Sequence, residues 1–401
     1  MSVPFRTRLC DVLGIEVPIM QSGMGGVAGP ELVAEVSRAG ALGVLAALNM
    51  PPDETRRRIH RIRELTDRPF GVNLWLHSEL RPPVDPATLP SATVAAVQGA
   101  LNEFRARLGV GPKTGPPAQA PNVIDAAIDV IVDERVPVFA AGIGNPTAEM
   151  VRRCHARGIK VVSMVATVDD ARAVAATGVD VIVAQGGEAG GHRSVGRKPA
   201  TPETVSIGTM ALVPQVVDAV RVPVVAAGGL ADGRGLVAAL ALGATGILMG
   251  TRFVATRESA APEFWKKALL ERGSETTTLT DSFTGQWGRA LRNAFHRVPR
   301  LRRPHPAEPA ADGPRPRRLR GRRRAPGSRV LPDVGRARRR ADPRPARRGR
   351  GGRGDHARSA RRAGGPVRRR APRVTIVRSR ARGLSAPGFE RPPLRAPRRE
   401  P

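Results

Sequence analysis

Between Ala184 and Arg193 the chain reads AQGGEAGGHR, four glycines around one glutamine, one glutamate and one histidine. Glycine-rich backbone can lie close against a flat or anionic ligand. Beside it, the imidazole of His192 titrates near neutrality and can take or give a proton. Glu188 reads as a group that closes the loop.

Two later segments carry the same signature of small residues. AAGGLADGR (226–234) and GILMGTRF (246–253) offer Gly228, Gly229, Gly250 and Thr251, whose bare N–H groups could cradle a phosphate. Those glycines could equally serve tight turns and close helix–strand packing. Asn73 in GVNLW (71–75) and Gln185 each put an amide into an otherwise apolar run, and a buried amide needs partners. Two amides facing one mouth could read the pyrimidine edge of an isoalloxazine ring, or they could bond neighbouring backbone. QSGMGG (21–26) would let backbone lie against a flat ring, and its spacing is not that of a dinucleotide-binding fingerprint.

Short apolar runs alternating with amphipathic ones must position these groups. Strands are expected at 18–24, 41–47, 70–76, 136–143, 160–166, 179–185, 222–228 and 246–253. Helices are expected at 31–39, 53–65, 147–156, 169–176, 209–220, 233–242 and 258–271. Eight βα units in about 255 residues match a closed (β/α)8 TIM barrel, with a doubly wound open sheet as the alternative. A long insertion after strand 3, residues 77–121, contains several prolines around a helical piece at 92–108. Such an insertion is either a lid over the mouth or a surface excursion.

The formal charge of +31 suggests nucleic acid until it is divided along the chain. Residues 297–401 hold 35 Arg, no Lys and 7 acidic residues, so this tail carries +28 and the rest only +3. Residues 1–295 form the expected barrel domain, and 296–401 a disordered Arg/Pro-rich basic tail without hydrophobic periodicity. Arg, Ala, Pro and Gly are what GC-rich codons yield in an unintended frame. Moved by one base, codons permitted for residues 296–312 can spell TEYLASGAPTLPSLLQT, an apolar, helix-compatible continuation, which points to a frameshift near His296. Only Cys10 and Cys154 are present, which gives no disulfide framework and fits a reducing, cytoplasmic setting. Neither a signal peptide nor a membrane span is expected, and the chain has no Tyr to act as a phenolic acid.

Taken together, PIMQSGMGG (18–26), GVN (71–73), AQGGEAGGH (184–192), AAGG (226–229) with ADGRG (231–235), and MGTRF (249–253) resemble the nitronate monooxygenase family, formerly 2-nitropropane dioxygenases. The resemblance runs from about residue 5 to 295. It implies a TIM barrel that binds FMN non-covalently and uses O2 to oxidise alkyl nitronates to carbonyl compounds and nitrite. By motif, it implies flavin contacts at Asn73, Gln185, Gly190, Gly229, Leu248, Met249, Gly250 and Thr251. Backbone at Gln21, Ser22, Gly23 and Met24 would lie against the ring. In the best-understood class a catalytic histidine follows the fifth strand. Here Asp169 stands at that place, which leaves His192 as the candidate catalytic residue.

His192 also resembles the Gly-Gly-His of flavin-dependent enoyl-acyl carrier protein reductases, which would use NAD(P)H, so that reaction is the alternative. Nucleotide dehydrogenases need a cysteine after strand six that this chain lacks. An Arg-rich nucleic-acid binder on a barrel scaffold is the non-enzymatic reading, with contacts made non-specifically through the tail. His77 could face the same mouth, whereas His60 and His155 read as surface residues. A nitronate or nitroalkane and O2 are the expected partners.

Overall fold

A computed structural model of the chain describes residues 5–77 and 83–297, leaving out the side chains of 296 and 297. Six strands, β1 (Ile19–Gln21), β2 (Gly43–Ala46), β3 (Phe70–Trp75), β4 (Val138–Gly142), β5 (Lys160–Val165) and β6 (Val181–Gln185), lead to a two-residue strand β7 (Gly191–His192). β8 (Val224–Ala227) and β9 (Gly246–Met249) follow. All except β7 lie in one parallel sheet ordered β1-β9-β8-β6-β5-β4-β3-β2. A bridge between Met20 and Leu42 joins its two ends, so the sheet closes into the expected (β/α)8 barrel.

The closing seam is short, and a side chain extends it. Leu42 N donates to Ile19 O at 3.0 Å and Gln21 N to Leu42 O at 2.9 Å. Beyond these, Gln21 uses its amide as a strand would use a peptide group: Val44 N donates to Oε1 at 2.9 Å and Nε2 donates to Val44 O at 3.1 Å. Buried backbone groups must be paired, and a three-residue strand cannot pair β2 alone.

Alternation along the strands sorts two cores. Met20, Val44, Val138, Val162, Val183, Val225 and Leu248 fill the barrel together with Leu9, Cys10 and Leu13 of α1 (Arg8–Leu13). Leu9 packs on Gly246 and the Thr7 hydroxyl bonds Thr245 O, so this helix seals the end where the strands begin. Strand residues such as Leu45, Val72, Phe139 and Ile182 point outward to the surrounding helices. Those helices are α2 (Pro30–Arg38), α3 (Pro52–Leu65), α4 (Ser91–Arg107), α5 (Val123–Asp133), α6 (Ala148–His155), α7 (Val168–Ala175), α8 (Thr209–Ala219), α9 (Gly233–Ala241), α10 (Thr251–Val254) and α11 (Glu263–Glu271). Several start where capping chemistry dictates. Thr147, Thr167 and Asp232 accept from the N–H groups of Met150, Asp170 and Arg234.

Departures from the sequence reading have local causes. The strand expected at 246–253 stops at Met249, because the chain turns at Gly250 into the single helical turn α10. The helix expected at 258–271 is shortened to α11, which starts after Pro262. α4 matches the helical piece in the insertion, yet none of its residues is buried. Unanticipated is an antiparallel hairpin, β10 (Thr277–Thr280) and β11 (Gly288–Leu291), which adds β7 as its third strand with Gly288 opposite His192. The tail beyond residue 297 lies outside the described residues. Among the described residues, no helix is long and apolar enough to cross a membrane.

Candidate active site

The glycine loop after β6 ends in β7, and pairing with β11 fixes the backbone of His192 at the mouth. Its imidazole Nε2 lies 2.7 Å from Oγ1 of Thr284, which sits in the turn of the hairpin. On the β3 side the ring meets Trp75 edge-on, with centroids 4.6 Å apart and planes at 66°. Burial, then the neighbouring Arg193 cation, push the His192 pKa below that of a free imidazole. Both favour the neutral form of the ring.

Arg193 anchors the loop from below. Only 2% exposed, it donates to Gly186 O at 2.7 Å and to Ala189 O at 3.1 Å, while its Nε has no hydrogen-bond partner. Burial and then Arg289 push its pKa down to about 10, which leaves it charged at pH 7; Glu188 opposes the shift. Arg289 donates from Nε to Gly187 O at 2.8 Å, so two arginines hold three carbonyls of the glycine loop, those of Gly186, Gly187 and Ala189. Glu188 accepts from Thr209 N at 2.9 Å and from the Thr209 hydroxyl at 2.7 Å. Burial raises the Glu188 pKa, but those bonds outweigh it and keep the group below the usual carboxylate range. The loop-closing role expected for Glu188 is thus met through the start of α8.

The remaining sequence candidates fall into distinct places. Gln185 Nε2 donates to His192 O at 2.9 Å and its Oε1 accepts from Ser194 N at 2.9 Å, so its amide shapes the loop. Asn73 Nδ2 donates to Ala140 O at 3.0 Å, which leaves its Oδ1 beside Gly23. Gly23 lies so close that a Cβ there would stand 2.5 Å from Asn73 Cβ. A Cβ on Gly190 would stand 3.1 Å from Thr251 Oγ1, and one on Gly250 3.5 Å from Met24 Sδ and 3.8 Å from Ser22 Cβ. Ser22, Gly23, Met24, Asn73, Gly190, Gly250 and Thr251 therefore converge on one end of the barrel. Gly229 borders the Glu188 side chain at the end of β8. Leu248 turns into the barrel, Met249 turns out to the helices, and Gln21 is committed to the seam, so these three have no side chain at the mouth.

Asp169, at the position of the other expected histidine, has a side chain 94% exposed and pairs with Arg172. His60 and His155 sit on the outer helices against Glu134 and Asp180. His77 is buried, and its Nε2 lies 3.3 Å from Gln286 Nε2, two residues beyond Thr284. Burial pushes the Cys154 thiol up to about 11, and Cys10 belongs to the helix at the opposite end, so neither offers a thiolate at the mouth. Trp75, Thr284, Gln286 and Arg289 escaped sequence reasoning. For Thr284, Gln286 and Arg289 the signal was the run TGQWGR (284–289), whose importance depends on pairing with a strand nearly a hundred residues earlier.

A closed parallel barrel whose mouth presents a held histidine above glycine-rich strand ends defines a (β/α)8-barrel enzyme. The chain belongs to the nitronate monooxygenase family, whose sequence model matches residues 6–313. It is 37% identical over 289 residues to a "Probable nitronate monooxygenase" of Staphylococcus saprophyticus, covering 72% of this chain and 79% of that protein. The Staphylococcus aureus (strain Newman) relative of the same description is 36% identical over 290 residues, with the same coverage. Among solved structures, a nitroalkane oxidase from Streptomyces ansochromogenes superposes with a TM-score of 0.64 at 38% identity, over 72% of this chain and 79% of that one. FabK from Thermotoga maritima superposes with a TM-score of 0.56 at 36% identity, over 73% and 76% of the two chains.

Proposed function

We propose that this protein binds FMN at the barrel mouth and oxidises alkyl nitronates with O2 to carbonyl compounds and nitrite. The observation that carries this reading is the convergence of family motifs on one end of the barrel around His192. Fit to a flavin is supported by the cradle itself: at Gly23 and Gly190 side chains are absent where a Cβ would crowd Asn73 or Thr251, and at Gly250 one would meet Met24 only at ordinary contact distance. Backbone there is free to approach a flat ring or a phosphate. Asn73 Oδ1 and the backbone of residues 22–24 suit the ring; Gly229, Gly250 and Thr251 suit the phosphate. A bound flavin would supply the electron acceptor that amino-acid side chains lack.

The chain's own part is binding, water exclusion and proton control. A neutral His192 is suited to take the α-proton of a nitroalkane, and it leaves a nitronate anion, already deprotonated, unopposed by a base. Trp75 and the hairpin cover the ring on two sides and limit the access of water. Oxygen uptake with ethyl nitronate or propionate 3-nitronate tests the reading, comparing wild type with His192→Ala. No uptake by FMN-loaded protein on either nitronate refutes it.

Flavin-dependent enoyl-acyl carrier protein reduction remains the second reading, favoured by the Gly-Gly-His at 190–192 and by the likeness to FabK. Under it, NADH is consumed when an enoyl thioester is added; under the first, no such oxidation occurs.

A further inference from the structure

His192 does not stand alone at the mouth, and its partner comes from the part of the chain that no motif marks. We propose that Thr284 is a positioning residue for His192, holding the imidazole in one orientation through both of its protonation states. The inference rests on the reading of His192 as the group that handles the proton.

The contact is fixed from both sides. On one side, the His192 backbone is paired with Gly288 of β11, and its carbonyl accepts from Gln185. On the other, the hairpin turn is pinned by Lys198, which bonds Asp281 at 3.0 Å and also the Gly285 carbonyl. Trp287, 4% exposed, anchors the same turn by donating from Nε1 to Pro199 O at 3.0 Å. Thr284 Oγ1 accepts from Gln286 N at 3.4 Å, which orients the hydroxyl within the turn. Trp75 against the ring then leaves His192 little freedom to rotate away.

A hydroxyl suits this post for a chemical reason. It accepts from Nε2–H of the neutral imidazole, which leaves the Nδ1 lone pair free to take a proton, and it accepts more strongly from the same Nε2–H of the imidazolium. A carboxylate in its place would favour the cation alone. A methyl group would serve neither form. Other charged and titratable groups around His192 are engaged elsewhere: Arg193 and Glu188 on its own loop, Arg289 on β11, Lys198 with Asp281 at the base of the turn, and His77 against Gln286. Of these, Arg193 bears directly on the ring.

The test compares Thr284→Val, Thr284→Ser and His192→Ala in the full chain loaded with FMN. It reads kcat/KM for a nitroalkane against pH, and the His192 ring resonances by NMR with and without FMN. Because a hydroxyl bonds the cation more strongly than the neutral ring, Thr284→Val is expected to move the acidic limb and the His192 titration to lower pH. The rate should fall about ten- to a hundredfold. Thr284→Ser should restore both to near wild type. Thr284→Ala substitutes should valine not fold. Wild-type rates and an unmoved limb in Thr284→Val, with His192→Ala inactive, overturn the proposal. A fully active His192→Ala instead removes the catalytic reading, and the NMR titration then decides the positioning role by itself: an unshifted His192 in Thr284→Val overturns it.

Discussion

His192 Nε2 and Thr284 Oγ1 meet at 2.7 Å across 92 residues of sequence. The loop that supplies the histidine and the hairpin that holds it are far apart in the chain, joined by a two-residue strand on β11. The placement of His192 therefore depends on a secondary sheet outside the barrel, and a series of expectations comes from the groups around that junction.

Replacing His192 with Ala should lower nitroalkane turnover by about a hundredfold or more, the usual contribution of a positioned base. Activity on a neutral nitroalkane should persist through pH 7 and fall as pH drops through the His192 pKa. Since burial and Arg193 depress that pKa, the acidic limb should lie below the ordinary histidine value. A limb above pH 7 in steady-state oxygen uptake would assign the proton to another group.

Arg193 holds Gly186 O and Ala189 O from within the core. Arg193→Met leaves those carbonyls without the cation and should destabilise the fold by about 2–4 kcal/mol, from two buried acceptors losing their donor. Arg193→Lys should recover part of this, because lysine keeps the charge but not the forked geometry. Urea denaturation of both variants checks the order, and equal stability of Met and wild type would show the loop to be self-supporting.

Gly23→Ala pushes a methyl group to within 2.5 Å of Asn73 Cβ. Overpacking at such a site costs about 1–3 kcal/mol, and here the displaced atom belongs to a proposed flavin contact. Flavin content after purification should fall more steeply than the thermal midpoint. Gly43→Ala, which meets Val33 O at 2.2 Å on the helix side of β2, should do the reverse. Loss of flavin and stability in the same proportion in both variants would dissolve the distinction.

Asp180 accepts from Val161 N at 2.8 Å and pairs with Lys160 and His155 on the outside of the barrel. Burial raises its pKa, but these partners together hold it below the usual carboxylate range. Its stabilisation is therefore present above the unfolded aspartate pKa of about 3.9 and is lost as pH falls through the lower folded value. Asp180→Asn should cost about 1–2 kcal/mol at pH 7, and progressively less as pH falls through the lowered folded value. A pH-independent difference in denaturation midpoints would contradict the assignment.

Phe264 and Leu270 of α11 are 78% and 76% exposed, and pairwise similarity to the staphylococcal relative spans 289 residues of this 401-residue chain. Resequencing the gene around codon 296 should reveal a one-base insertion or deletion, restoring an apolar continuation of the kind TEYLASGAPTLPSLLQT. Codons phased without interruption through residue 401 would refute the frameshift.

Local patterning made the barrel legible. Valine-rich strands buried on both faces, glycines at strand ends and capped amphipathic helices are properties of short windows, so the eight barrel strands and most crossover helices can be read without contacts, whereas α1 and α5 were not anticipated. The same holds for the glycine loop and for His192 as the exceptional residue within it. Element ends were less legible: α10 begins where a strand was expected, because Gly250 permits a turn that apolar composition does not reveal.

Sequence alone thus determined the repeating βα order, the cluster of small residues at the mouth and the identity of the candidate histidine. Only tertiary structure decided what each amide and each charge serves. Gln21 mends the β1–β2 seam, Gln185 ties down the His192–Ser194 backbone, Arg193 binds the loop from inside, and Thr284 holds the imidazole. The physical reason is that a buried polar group takes whichever partner folding places within about 3 Å of it. Those partners come from any distance along the chain, whereas strand and helix periodicity is set by neighbours.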